Sequence, residues 1–149
     1  MDIHGTIWRV YTVFPHVRFL RSPLLTLMIA LGLAACAPDV LRRPAQLTPI
    51  SDQPGATIEV REAVVVPLER GYRRLIIHGT TWTLIGRLPE GEVFRPVDRV
   101  FTVEGEHVHE AYLVLDGDRV VGFYLPVERA FAPARGGTDT RLSIRRRER

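Results

Sequence analysis

VDRVFTVEGEHVHEAYLVLDGDRVVGFYL, residues 97–125, holds three runs rich in Val, Leu, Phe and Tyr, parted by Glu104-Gly105-Glu106 and by Asp116-Gly117. Runs of this kind between glycine-centred polar clusters read as strands joined by tight turns. Residues 97–103, 107–115 and 119–125 then make two consecutive hairpins, a meander. Ala111, Leu113 and Leu115 share parity with Val121, Phe123 and Leu125. Alternate strand residues face the same side, so a three-residue loop around Asp116 and Gly117 puts all six on one face. A two-residue loop would set Leu113 against Val120 and turn one apolar set towards water.

The same punctuation extends outward. Residues 57–66 (TIEVREAVVV) are β-branched, 73–78 and 80–87 are two further runs meeting near Gly79, and Pro89-Glu90-Gly91 is a turn. Proline cannot donate to a strand ladder, so Pro96 bends the run from Glu92 to Val103 and Pro126 ends the last long strand. Residues 57–134 thus form an all-β domain, a small antiparallel barrel or sandwich meander of about six or seven strands.

Before the domain lies a different kind of segment. Residues 24–33 (LLTLMIALGL) are apolar or small, follow Arg18 and Arg21, and lead into Leu33-Ala34-Ala35-Cys36, which ends on the one cysteine of the chain. Ten such residues suit a signal-peptide core and are too few for a span of about 20. The tetrapeptide resembles the lipobox of bacterial lipoproteins. The resemblance covers residues 18–37. It implies removal of residues 1–35 and acylation of Cys36 with a diacylglycerol and an N-acyl chain such as palmitate. Ala37, where an aspartate would mark inner-membrane retention, implies the outer membrane, with the domain facing the periplasm. Residues 1–17 exceed what a signal needs, and a translation start near Val13 or Val17 accounts for them.

Residues 36–56 carry the lipidated cysteine and then APDVLRRPAQLTPISDQPGA, with prolines at 38, 44, 49 and 54. This reads as a flexible tether, up to roughly 60 Å long as polyproline. At the other end, 135–149 hold six Arg against Asp139 and Glu148, a basic tail expected to be disordered. Residues 36–134 hold 11 Arg against 14 Asp and Glu, so an acidic body precedes it. The tail's Arg residues suit anionic lipid phosphates. Nucleic acid is not an expected partner in this compartment.

Chemistry is narrowed mainly by exclusion. The chain has no Lys, Ser51 and Ser143 are the serines beyond Cys36, and lipidation would consume the thiol. The body therefore lacks the Ser, Cys and Lys nucleophiles of covalent catalysis, no phosphate loop is present, and one cysteine makes no internal disulfide. No cofactor is expected apart from the lipid on Cys36. Carboxylates and histidines remain. Glu104 and Glu106, with Glu110, would serve glycoside hydrolysis if two were held about 5 to 9.5 Å apart. His107 and His109 at i, i+2 share a strand face and are weak metal candidates with a third ligand such as His78 or Asp98. Trp82, Tyr112 and Tyr124 are candidates for an aromatic partner surface, although aromatics also favour strands for packing alone.

The expected function is a non-enzymatic outer-membrane lipoprotein whose small β domain binds or scaffolds an envelope component, be it a protein, the cell wall or lipopolysaccharide. A periplasmic inhibitor or a ligand- or glycan-binding module is the alternative. A glycan-acting enzyme using Glu104 or Glu106 comes third.

Overall fold

The computed structural model describes residues 39–50, 55–137 and 139–147, all within one compact unit, Cys36–Arg149. The fold is all-β and antiparallel, with thirteen short strands and no α-helix among the described residues. Nine strands form the main sheet. Its path runs β1 (Arg43–Pro44), β12 (Ala130–Pro133), β11 (Arg119–Leu125), β10 (Tyr112–Asp116), β7 (Gly91–Pro96), β6 (Thr81–Leu88), β3 (Thr57–Val60) and β13 (Ile144–Arg147), with β2 (Thr48–Pro49) also on β6. The path ends on β1 and β13, which do not pair, so the sheet is open and not a barrel. Two hairpins stand apart from it, β4 (Val64–Pro67) with β5 (Arg73–Ile76), and β8 (Thr102–Glu104) with β9 (Val108–Glu110).

The meander is cut in two. Its middle run breaks at Ala111, whose amide donates to the Phe101 carbonyl at 2.9 Å, so β9 stays with β8 while β10 pairs with β7. Pro96 and Pro126 end strands as expected from their missing donors. The β10–β11 loop is two residues, Gly117 and Asp118, because Asp116 pairs with Arg119. A bulge at Val121 then restores parity, so Leu113 faces Phe123. Ala111, Leu113, Leu115, Phe123 and Leu125 share the principal core, with Val120 taking the place expected for Val121. A second bulge, at Ile85 in β6, moves Leu88 to the opposite face from Trp82 and Leu84.

Both faces of the sheet are consequently apolar. One carries Ile58, Trp82, Leu84, Phe94, Leu113 and Phe123, packed with Val66 and Ile76 of the first hairpin and Val103 of the second. The other carries Leu88, Val93, Val114, Tyr124 and Phe131, packed with Ala45 and Leu47.

The last contact corrects the tether. Residues 39–50 lie on the domain: Arg43 pairs with Phe131 and Thr48 with Arg87, and Val40 is 5 % exposed. Leu47 and Ala45 have an apolar sheet face to cover, and β1 and β2 each end after two residues on a proline that lacks a donor. Gly86 lets them approach, since a Cβ there would stand 2.5 Å from the Thr48 carbonyl oxygen. The basic tail is corrected in the same way. Leu142 is 3 % exposed, β13 pairs with β3 along its length, and Arg146 and Arg147 reach Glu92 and Glu59 at 3.1 and 3.3 Å. The β3 ladder and the burial of Leu142 and, in part, Ile144 hold the basic strand, with exposed ion pairs to the acidic body added along it.

Candidate functional site

Two surfaces and one buried cluster gather the chemistry of the chain. The cluster centres on His109, which β9 turns inward opposite Val103. Its ring is 4 % exposed; Nδ1 lies 2.5 Å from Glu128 Oε1, and Nε2 lies 3.4 Å from Asp39 Oδ1. An ionised carboxylate only accepts, so Nδ1 carries a proton and donates to Glu128. Arg42 closes the group, 2.7 Å from Asp39 Oδ2 and 3.5 Å from His109 Nε2.

Partial burial pushes the Asp39 carboxyl up, but the Val40 amide, the His109 ring and Arg42 outweigh it and hold the pKa below the ordinary value. Burial likewise opposes ionisation of Glu128, and its bond to His109, its own amide and the nearby positive charges outweigh that and lower its pKa. Both ring nitrogens are thus engaged, on opposite sides of the imidazole. The arrangement pins residues 39–42 to the domain and does not leave a base directed at a substrate.

The other expected site residues are dispersed. His107 is exposed in the turn before β9, its ring 6.4 Å from that of His109 and edge-on to it. His78 and Asp98 are exposed, and the His109 partners are Asp39, Glu128 and Arg42 instead. No group of three or more His, Cys, Asp or Glu among the described residues is placed to hold a metal ion. Glu104 is exposed and paired with Arg74 at 3.5 Å, and Glu106 is exposed in the adjoining turn. Neither lines the two cavities described below. Cys36 lies outside the described residues.

The aromatic candidates separate. Trp82 is fully buried, edge-on to Phe101 at 5.1 Å, and its indole N–H donates to Thr80 Oγ1 at 3.0 Å, so it is no exposed platform and instead lies beneath the cleft lined by Leu75 and Val100. Tyr112 and Tyr124 are cross-strand partners with ring centroids 6.4 Å apart. Burial, then the charge and hydrogen bond of Glu110, raise the pKa of the Tyr112 hydroxyl. Tyr124 floors a shallow basin of about 670 Å³ walled by Pro44, Gln46, Leu47 and Arg129. Arg129 sits at φ +48, the left-handed region, where its carbonyl accepts from the Ala45 amide at 2.9 Å and holds the wall in place.

The second surface was not anticipated. Val65 and Leu75 are cross-strand partners on β4 and β5, both about half exposed at 50 % and 48 %, with Ile77 beyond them and Val100 opposite. Leu75, Ile77, Val100 and Phe101 line a cleft of about 190 Å³ with Arg74 and Arg99. Arg74 lies over the Phe101 ring at 4.8 Å, and its Nε is buried without a hydrogen-bond partner. Alternation in 64–67 and 73–76 hints at this hairpin, but its outer apolar set becomes visible only when β4 and β5 leave the main sheet.

No protein-family model matches the chain, and neither does a curated protein or a solved structure. Among the described residues no helix is long and apolar enough to cross a membrane.

Proposed function

We propose that the protein is a non-enzymatic lipoprotein, acylated at Cys36, held at the outer membrane and facing the periplasm, whose β domain binds a protein partner of the envelope. One observation carries the binding reading: the exposed aliphatic residues Leu75, Ile77 and Val100 line a cleft, and Val65 is the exposed cross-strand partner of Leu75. A patch that keeps this much aliphatic surface in water is characteristic of an interaction site. The cleft lining has two guanidinium groups and no carboxylate, and β5 has one strand partner among the described residues. An extended segment with apolar side chains and a flanking Asp or Glu fits those features, because it would cover the aliphatic groups and meet the Arg charge.

The Ile77→Asp substitution tests this. Ile77 is half exposed, so stability should change by no more than about 0.5 kcal/mol. Crosslinking and mass spectrometry on native envelopes should lose one reproducible partner in that variant and keep it in a Val97→Asp control. An unchanged crosslink pattern refutes the cleft as the binding surface.

A glycan-binding module is the second reading, favoured by the basin in which Gln46 and Arg129 set polar groups beside Tyr124, itself 6 % exposed. Asn tolerates the left-handed backbone at position 129. Arg129→Asn should therefore keep the fold while lowering retention on isolated cell-wall sacculi or lipopolysaccharide about tenfold. Equal retention of variant and parent removes the basin from consideration.

A further inference from the structure

We infer that the turns around Gly105 and Val127 form a seat for the phospholipid bilayer, so that the domain rests on the membrane surface instead of hanging away from it; the inference rests on Cys36 carrying the lipid anchor. Three residue steps separate Cys36 from Asp39, and a chain extends at most about 3.6 Å per residue, so Asp39 lies within about 11 Å of the acylated position. Residues 39–50 are held on the domain. Asp39 meets the buried His109, Val40 is packed where a Cβ on Gly105 would come 2.6 Å from its Cγ2, and Arg43 is paired with Phe131. Two residues, Ala37 and Pro38, separate Cys36 from Asp39 in the sequence.

What surrounds the pinned end is apolar. Val127, beside Glu128, is 76 % exposed, Val108, beside His109, is 68 % exposed, and Leu41 is 45 % exposed. The pin brings together the three segments that carry them, since His109 joins Glu128 through one ring nitrogen and Asp39 through the other. Branched aliphatic groups near an acyl anchor enter the headgroup boundary, where burying them adds to the anchor. The charge beside them favours one class of lipid. Glu104 and Glu106 are exposed on the hairpin that carries Val108, and Arg42 and Arg129 are exposed beside Leu41 and Val127; carboxylates and guanidinium groups side by side match the paired charges of a zwitterionic headgroup. Seated in this way, the domain has one face committed to lipid and a restricted orientation towards its partner.

The test uses the full lipidated chain in phosphatidylcholine vesicles brominated on the acyl chains. Val108→Trp and Val127→Trp variants should each lose emission about twofold relative to unbrominated vesicles, as expected for a side chain reaching the boundary region. A Val97→Trp variant and the parent, whose Trp82 is buried, should change little. Mass spectrometry of the same samples reports the acyl chains on Cys36. Acylated protein without quenching at 108 or 127 overturns the seat and leaves the anchor standing, whereas an unmodified Cys36 overturns both. Retained acylation with quenching abolished in a His109→Ala background supports the pin as the element that orients the domain.

Discussion

Gly122→Ala should destabilise the domain by about 3 kcal/mol or more and lower the Tm by about 10 °C or more. Gly122 follows the Val121 bulge in β11, at φ +155, a backbone conformation nearly reserved for glycine. A Cβ there would overlap the Ala132 carbonyl oxygen and stand 2.8 Å from the Phe131 ring. Neither neighbour can yield easily, since Ala132 is in the β11–β12 ladder and Phe131 is 2 % exposed. Gly117→Ala is the matched control. Its φ of +67 also favours glycine, but no atom lies within 4 Å of the new Cβ, so it should cost about 1 kcal/mol. Thermal unfolding of the two variants decides the matter. Equal losses would mean that backbone freedom alone, without the close approach of β12, accounts for glycine at 122.

His109→Ala should release the N-terminal segment, with a loss of about 2 kcal/mol concentrated in residues 39–45. The substitution removes the Nδ1 donor of Glu128 and the ring that sits against Asp39, and Glu128 Oε2 is already buried without a partner. The Ala45 amide, which donates to Arg129 O, is the reporter. Its hydrogen-exchange protection should fall about 30-fold, the equivalent of that energy. His107→Ala, at an exposed position, should leave it unchanged. His109→Gln keeps an amide donor and should recover part of the protection.

Acid should reach the same released state. Asp39 and Glu128 have lowered pKa values in the folded protein, so their contribution is fully present above the ordinary carboxylate pKa of about 4 and is lost as pH falls through the lower folded values. Protection of Ala45 should therefore drop below about pH 4 before the main sheet unfolds. Coincident loss of Ala45 and the β10–β11 amides would contradict a locally held segment.

How much of this was legible varies with the range of the interactions involved. The strands around 112–116 and 119–125 could be read from alternation and glycine punctuation because those signals are local. The common face of Leu113 and Phe123 was also readable, though through the wrong device: a bulge at Val121 restores the parity that was assigned to a longer loop. Bulges leave little composition signal, because the extra residue is an ordinary valine. The pin shows the opposite limit. His109 could be noted as a residue, but its partners lie 70 positions before it and 19 after it. No spacing rule joins them.

The sequence by itself determined the β character of the body, the turns, the ends set by Pro96 and Pro126, the shortage of nucleophiles and the expectation of a lipid on Cys36, because each depends on residue identity or near-neighbour periodicity. Tertiary structure decided that 39–50 and 142–147 belong to the domain, that His109 is a pin, that Trp82 is core, and that Val65, Leu75, Ile77 and Val100 form one patch. A proline-rich segment and an arginine-rich tail look like solvated chain when read alone. They are held by an apolar sheet face and by a strand ladder whose partners lie far away along the chain and close by in the fold.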